Sequence, residues 1–78
     1  MTTLEEVKRI LEEKAEIDPT VVALDKALVA DLGLDSLQVV DVVSGAEETL
    51  AITITDDEVG RIVKVRDLVA LIDAKRKS

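Results

Sequence analysis

The 78-residue chain contains no His, Cys, Phe, Tyr or Trp. Any chemistry must therefore come from hydroxyls, carboxylates and cationic side chains. No thiolate nucleophile, disulfide, Cys-based zinc site or iron–sulfur site can form. No imidazole is present to act as a base near neutral pH or to complete a Ser-His-Asp triad. The most suggestive hydroxyl is that of Ser36, which follows Gly33-Leu34-Asp35 where a helical pattern begins. Ser and Asp are ordinary helix caps, so the plain reading of the pair is structural. As a nucleophile Ser36 lacks an activating base, and no Lys or Arg lies between positions 27 and 60. A third reading is modification by a separate enzyme. A phosphate ester on Ser36 would face free backbone N–H groups and the positive end of a helix dipole.

The charge around that serine is one-sided. The chain has 17 acidic and 10 basic residues, a net charge of -7. Positions 27–60 hold Asp31, Asp35, Asp41, Glu47, Glu48, Asp56, Asp57 and Glu58 and no cation, so the net charge belongs to this stretch. Charge runs are commonly solvated faces. Here the run favours an electrostatic docking surface for basic partners. Nucleic-acid binding is not expected, since there is neither a basic surface nor an aromatic platform.

The elements that must position Ser36 are helical. Hydrophobic residues make up 47% of the chain and recur periodically, which argues against disorder. Residues 3–15 form the first helix, with Leu4, Val7, Leu11 and Ala15 on one face beside Ile10. A capping box is available as Thr2–Glu5 or as Thr3–Glu6. Residues 36–50 form the second helix, capped by Asp35 with Gln38 three residues on. Its core arc is expected at Val39, Val43, Ala46 and Leu50, with Val42 at the edge. Leu37, Asp41, Ser44 and Glu48 fall on the opposite side, with Val40 and Glu47 at a border. Residues 56–61 form a short third helix capped by Thr55 and Glu58, after an extended connector Ile52-Thr53-Ile54. Residues 65–76 form the last, with Val65, Leu68, Val69 and Ile72 on one face. In the long segment 16–35, a helical turn or two is expected from the spacing of Leu24, Leu28 and Leu32. These side chains, with Val21 and Val22, should plug the bundle. The fold class is all-α, one domain over residues 1–78. No apolar run is long enough for a bilayer, and a soluble, intracellular protein is expected.

Asp31-Leu32-Gly33-Leu34-Asp35-Ser36-Leu37 resembles the phosphopantetheine-attachment motif of acyl carrier proteins. The acidic helix after the serine, the Ile52-Thr53-Ile54 connector, the Asp56-Asp57-Glu58 helix start and the Val65-led last helix match that family's layout along the whole chain. The resemblance implies a four-helix bundle with a long first loop and the length of a free-standing bacterial carrier. It implies a 4′-phosphopantetheine arm, derived from coenzyme A and joined to Ser36 between Asp35 and Leu37. Acyl groups would be held as thioesters on the arm's terminal thiol. Such a protein catalyses nothing. It presents intermediates to partners, here a phosphopantetheinyl transferase and acyl-transfer, condensing and reducing enzymes with basic docking patches. The residues implied to meet them are Asp35, Leu37, Gln38, Val40, Asp41, Ser44, Glu47, Glu48 and Asp56.

Some positions depart from the family pattern. Gln38 stands where an acidic residue is frequent and Ser44 where Met is common. Leu28, Leu50 and Leu71 replace frequent aromatics, and Thr55 replaces a frequent Pro. Lys64 stands where a Thr often caps the last helix, so that start is expected to fray. Gly45 and Gly60 lie inside helices, where Gly costs roughly 0.5–1 kcal/mol relative to Ala. A soft aliphatic core follows, with an acyl pocket expected among Leu28, Val39, Val43, Ala46, Leu50, Ile54, Ile62 and Leu68. The expected role is a cytoplasmic, monomeric carrier in fatty acid biosynthesis, with no metal and no membrane insertion. The alternatives are a carrier dedicated to a polyketide, specialised-lipid or aminoacyl pathway, or an unmodified helical adaptor.

Overall fold

Three of the four helices begin with a reciprocal capping box, which is why their starts agree with the sequence pattern. The computed structural model describes residues 2–77. Helix α1 runs Thr3–Ala15, α2 Ser36–Leu50, α3 Asp56–Gly60 and α4 Val65–Lys77, with a single 3-10 turn at Pro19–Val21. Thr2 rather than Thr3 caps α1: its hydroxyl accepts the Glu5 N–H, and Glu5 accepts the Thr2 N–H. Thr55 and Glu58 do the same for α3. Arg61, expected as that helix's last residue, is its C-cap.

The core is wholly aliphatic. Val7, Ile10, Leu11 and Ala15 of α1 meet Val42, Val43 and Ala46 of α2 and Val65, Leu68 and Ile72 of α4. The core arc of α2 differs from expectation. It centres on Val42 and Ala46, while Val39 and Leu50 are only partly buried. Gly45 explains the rotation. It is buried, and a Cβ there would stand 3.2 Å from Ile10 Cγ2 and 3.0 Å from Lys14 Cε. The helix turns its smallest residue to α1, which brings Val42 and Ala46 inward.

Gly45 is thus a close-approach position, not a soft spot, whereas nothing lies within 4 Å of a Cβ built on Gly60. The two glycines should respond oppositely to alanine. Gly60→Ala should raise stability by about 0.5–1 kcal/mol through helix propensity alone. Gly45→Ala should lower it by about 1 kcal/mol, because crowding against buried Ile10 outweighs that gain. Urea midpoints of the two variants measure both.

The first loop packs differently from its spacing. Val22, Leu28 and Leu34 are buried, but Val21 and Leu24 are exposed and Leu32 only partly buried. The chain makes one turn, with Asp31 and Leu32 N–H groups on the Ala27 carbonyl and Gly33 N–H on that of Val29. Gly33 ends it at φ +74°, a conformation that L residues rarely adopt. Before that turn the backbone lies antiparallel to residues 63–66. Leu28 N–H donates to the Val63 carbonyl, Val65 N–H to Lys26 and Arg66 N–H to Leu24, around an Ala27–Lys64 bridge. A segment held this way is not helical, so Leu24 and Leu28 do not share a face.

These contacts also anchor α4. Asp67 accepts the Val63 and Lys64 N–H groups at 3.0 and 2.8 Å, so the helix start that Lys64 leaves without a Thr cap is held by a carboxylate of its own first turn. Those two N–H groups, Lys64 first, hold the Asp67 carboxyl below its usual range. At the far end Arg76 pairs with Glu6 at 2.6 Å and Thr3 donates to Asp73, tying α4 to α1.

Lys75 joins α4 to α3 through Glu58 at 2.9 Å. The Thr55 N–H and then the Lys75 ammonium hold Glu58 down from 4.5 to about 2. A lowered carboxylate pKa stabilises the fold above the unfolded value and loses that contribution as pH falls through the folded one. The stability gap between the native chain and Glu58→Gln should therefore be full above about pH 4.5 and close towards pH 2. Denaturation of both proteins across that range measures it.

Candidate functional site

Ser36 is the first residue of α2 and is exposed. The cap is Asp35, whose Oδ1 accepts the Gln38 N–H at 2.8 Å. Gln38 Oε1 reaches back to accept the Asp35 N–H at 3.1 Å. The local sequence thus divides the labour between two polar neighbours. Asp35 terminates the helix, and the Ser36 hydroxyl has no hydrogen-bond partner among the described residues. The Ser36 and Leu37 amides, in the first turn, also lack a backbone acceptor there. An exposed, uncommitted hydroxyl beside two unpaired N–H groups is chemically suited to bear a phosphodiester.

The stripe along α2 is as expected on its outer side. Leu37, Asp41, Ser44 and Glu48 are all exposed, Leu37 at 70% and neighbouring Val40 at 52%. The eight carboxylates of residues 27–60 fall into two groups. Asp31 accepts the Ala27 N–H, Asp35 caps α2, and Glu58 serves Thr55 and Lys75. Glu47 is partly buried, and its Oε2 accepts the Ile54 N–H at 3.0 Å, bracing the connector against α2. Asp41, Glu48, Asp56 and Asp57 make no side-chain hydrogen bond or ion pair among the described residues. Of the nine residues expected to meet partners, Leu37, Val40, Asp41, Ser44, Glu48 and Asp56 stand free. Asp35, Gln38 and Glu47 have structural duties, which the sequence showed for the first two and not for Glu47.

Of the eight residues expected to form an acyl pocket, the structure brings Leu28, Val39 and Ile62 around one apolar cleft of about 230 Å³. Val43, Ala46, Ile54 and Leu68 are buried in the core and Leu50 is partly buried, none of them on its wall. The physical reason is that Val43, Ala46, Ile54 and Leu68 are packed into the closed aliphatic core, whereas the cleft lies outside it where the two loops meet α2. The rest of the wall is Ala27, Val29, Ala30 and Val63. No periodicity pointed to them, because they come from two loops joined by backbone hydrogen bonds. Val29 and Val63 are each 59% exposed. Val39, on its wall, lies one turn of α2 beyond Ser36. A larger cleft of about 340 Å³ lies between α3 and α4, lined by Glu58, Arg61, Ile62, Asp67, Ala70 and Leu71, with no wall residue from α2. Among the described residues no cluster of metal-ligating side chains occurs, and no helix is long and apolar enough to cross a membrane.

Comparison with known proteins agrees with this arrangement. Residues 5–72 match the family model described as the phosphopantetheine attachment site. The chain is 34% identical over 77 residues to an acyl carrier protein of Campylobacter jejuni subsp. doylei, covering 99% of this chain and 100% of that one. It is 35% identical over 78 residues to an acyl carrier protein of Campylobacter hominis, covering 100% and 99%. A third, from Campylobacter concisus, is 36% identical over 73 residues, covering 94% and 95%.

Proposed function

The chain belongs to the acyl carrier protein family, and on that premise we propose that Ser36 carries its 4′-phosphopantetheine arm. Family membership makes the protein a carrier rather than an enzyme. The arm supplies a terminal thiol on which acyl groups are held as thioesters, a group this Cys-free chain lacks. What the chain contributes is placement. Asp35 and Gln38 set the helix start, Ser36 offers its hydroxyl outward, and the Ser36 and Leu37 amides offer donors to a phosphodiester.

The observation that carries the assignment is the uncommitted Ser36 hydroxyl at a helix start already capped by Asp35. A serine kept only for structure at this place would be the cap. The exposed Leu37–Asp41–Ser44–Glu48 stripe, with Val40 and Asp56, is the surface read by a phosphopantetheinyl transferase and by acyl-handling enzymes with basic patches. The cleft of Ala27, Leu28, Val29, Ala30, Val39, Ile62 and Val63 shelters the near part of the cargo. The reading extends to a cytoplasmic, one-domain monomer serving fatty acid biosynthesis. Ser44 on the partner side favours, as a second reading, a carrier dedicated to another acyl pathway.

The test is direct. Apo protein incubated with coenzyme A and a broad-specificity phosphopantetheinyl transferase should gain the mass of one phosphopantetheine group, and Ser36→Ala should gain none. No gain in the native chain, or a gain that survives the substitution, would overturn the assignment.

A further inference from the structure

The three capping boxes of this chain are not alike. Those of α1 and α3 pair a neutral Thr with a Glu, Thr2 with Glu5 and Thr55 with Glu58. The box of α2 pairs an acidic cap with a neutral partner, Asp35 with Gln38, and the residue that follows its cap is the serine itself. Ser36 is itself a good N-cap. If the helix began one residue later, the Ser36 hydroxyl would accept a backbone N–H, most directly that of Val39, and its lone pair would be spent on the helix. In that register the reciprocal half of the box could not close, because Val39 has no side-chain acceptor. In the observed register it closes through Gln38 at 3.1 Å. The two registers compete for the same serine. The Asp35 carboxylate and carbonyl hold the observed one through the Gln38 and Val39 N–H groups, and the Gln38 side chain adds the half of the box that only this register closes.

We infer that Gln38 is a positioning residue for modification of Ser36: by closing the box on Asp35 it holds the helix start one residue ahead of the serine and keeps the serine hydroxyl free to react. This rests on the reading of Ser36 as the attachment residue and adds a residue that acts through Asp35. In the reaction, Ser36 Oγ bonds to the pantetheine-side phosphorus of coenzyme A. The bridging P–O bond breaks, adenosine 3′,5′-bisphosphate leaves with the electron pair, and the hydroxyl proton passes to a base on the transferase. A hydroxyl engaged by the Val39 N–H presents a less available lone pair, whatever the affinity of the two proteins. The effect therefore falls on the rate of transfer rather than on recognition. Glu at position 38 can close the same box, since its carboxylate offers the same acceptor, as Glu5 and Glu58 do in α1 and α3.

The experiment uses the apo protein, Gln38→Ala and Gln38→Glu, with coenzyme A and one phosphopantetheinyl transferase. Transfer kinetics and amide exchange at residues 35 and 38 are both read. Gln38→Ala should lose protection of the Asp35 amide and lower kcat by up to about fivefold, the limit that loss of one cap interaction sets on the population change, with KM for the carrier unchanged. Gln38→Glu should restore both. Transfer by Gln38→Ala at the native rate would overturn the inference. So would slow transfer by Gln38→Glu with its Asp35 amide still protected, since the transferase would then be reading the side chain itself. If even the native chain were not modified, the attachment reading would fail. The amide of residue 38, which Asp35 holds only in the observed register, would still decide the register, and its unchanged protection in Gln38→Ala would refute the shift.

Discussion

Reversing Asp41 and Glu48 to lysine together should lower kcat/KM with a basic-patch partner by about tenfold at low salt, with no loss of fold. Both carboxylates are exposed and make no ion pair or side-chain hydrogen bond among the described residues, so their removal breaks nothing inside the molecule. Their contribution is a long-range field added to that of Asp56 and Asp57, which are equally uncommitted. A field of this kind is screened over about 8 Å at physiological salt. The gap between native and reversed proteins should therefore shrink as salt rises. The fold should be unharmed or slightly more stable, because the variant relieves repulsion within a stretch that holds no cation. Glu47→Ala is the informative contrast. Glu47 braces the connector through the Ile54 N–H, so its change should act on stability, by about 1 kcal/mol, more than on turnover. Equal turnover by native and reversed proteins at low salt would remove the docking role from this face.

Truncating Leu68 to alanine should cost about 2–5 kcal/mol, a large share of the stability available to a chain of this length. Leu68 is 1% exposed on α4, within the aliphatic core shared by α1 and α2. No aromatic residue is present to take up the lost volume. Leu28→Ala should fall in the same range and should also widen the cleft whose wall it forms. Leu24→Ala should cost under about 0.5 kcal/mol, because Leu24 is an exposed side chain and only its backbone is used. Thermal unfolding of the three variants separates the positions. A loss at Leu24 matching that at Leu28 would mean that the first loop packs as a continuous helical face after all.

The difference between Leu24 and Leu28 marks the limit of what the chain makes legible. Helix starts were readable because a cap is a local device. Thr2–Glu5, Asp35–Gln38 and Thr55–Glu58 each lie within four residues, and each forms as its spacing implies. The outward stripe of α2 was readable for the same reason, since Leu37, Asp41, Ser44 and Glu48 follow from helical geometry alone. The core arc was less so. Leu37, Val39, Val40, Val42, Val43, Ala46 and Leu50 supply more apolar residues than one face needs. Which of them turn inward depends on α1 meeting Gly45, a contact between residues far apart in the chain. The first loop is shaped by its backbone pairing with residues 63–66, which no spacing within 16–35 encodes. The cleft follows from that pairing, which is why Val29 and Val63 went unnoticed while Leu28, Val39 and Ile62 did not. At the site itself the residue types were enough to single out Ser36. The assignment of the cap to Asp35 was also readable, from Gln38 three residues on. The resulting freedom of the Ser36 hydroxyl is the structural fact on which the proposed attachment at Ser36 rests.

The most direct measurement on that point is fragmentation mass spectrometry of the protein isolated from the cells that make it. The peptide containing Ser36 should carry a phosphopantetheine group on that serine, released on fragmentation together with whatever acyl group its thiol holds. The peptide recovered wholly with an unmodified Ser36, or the group found on another residue, would contradict the account.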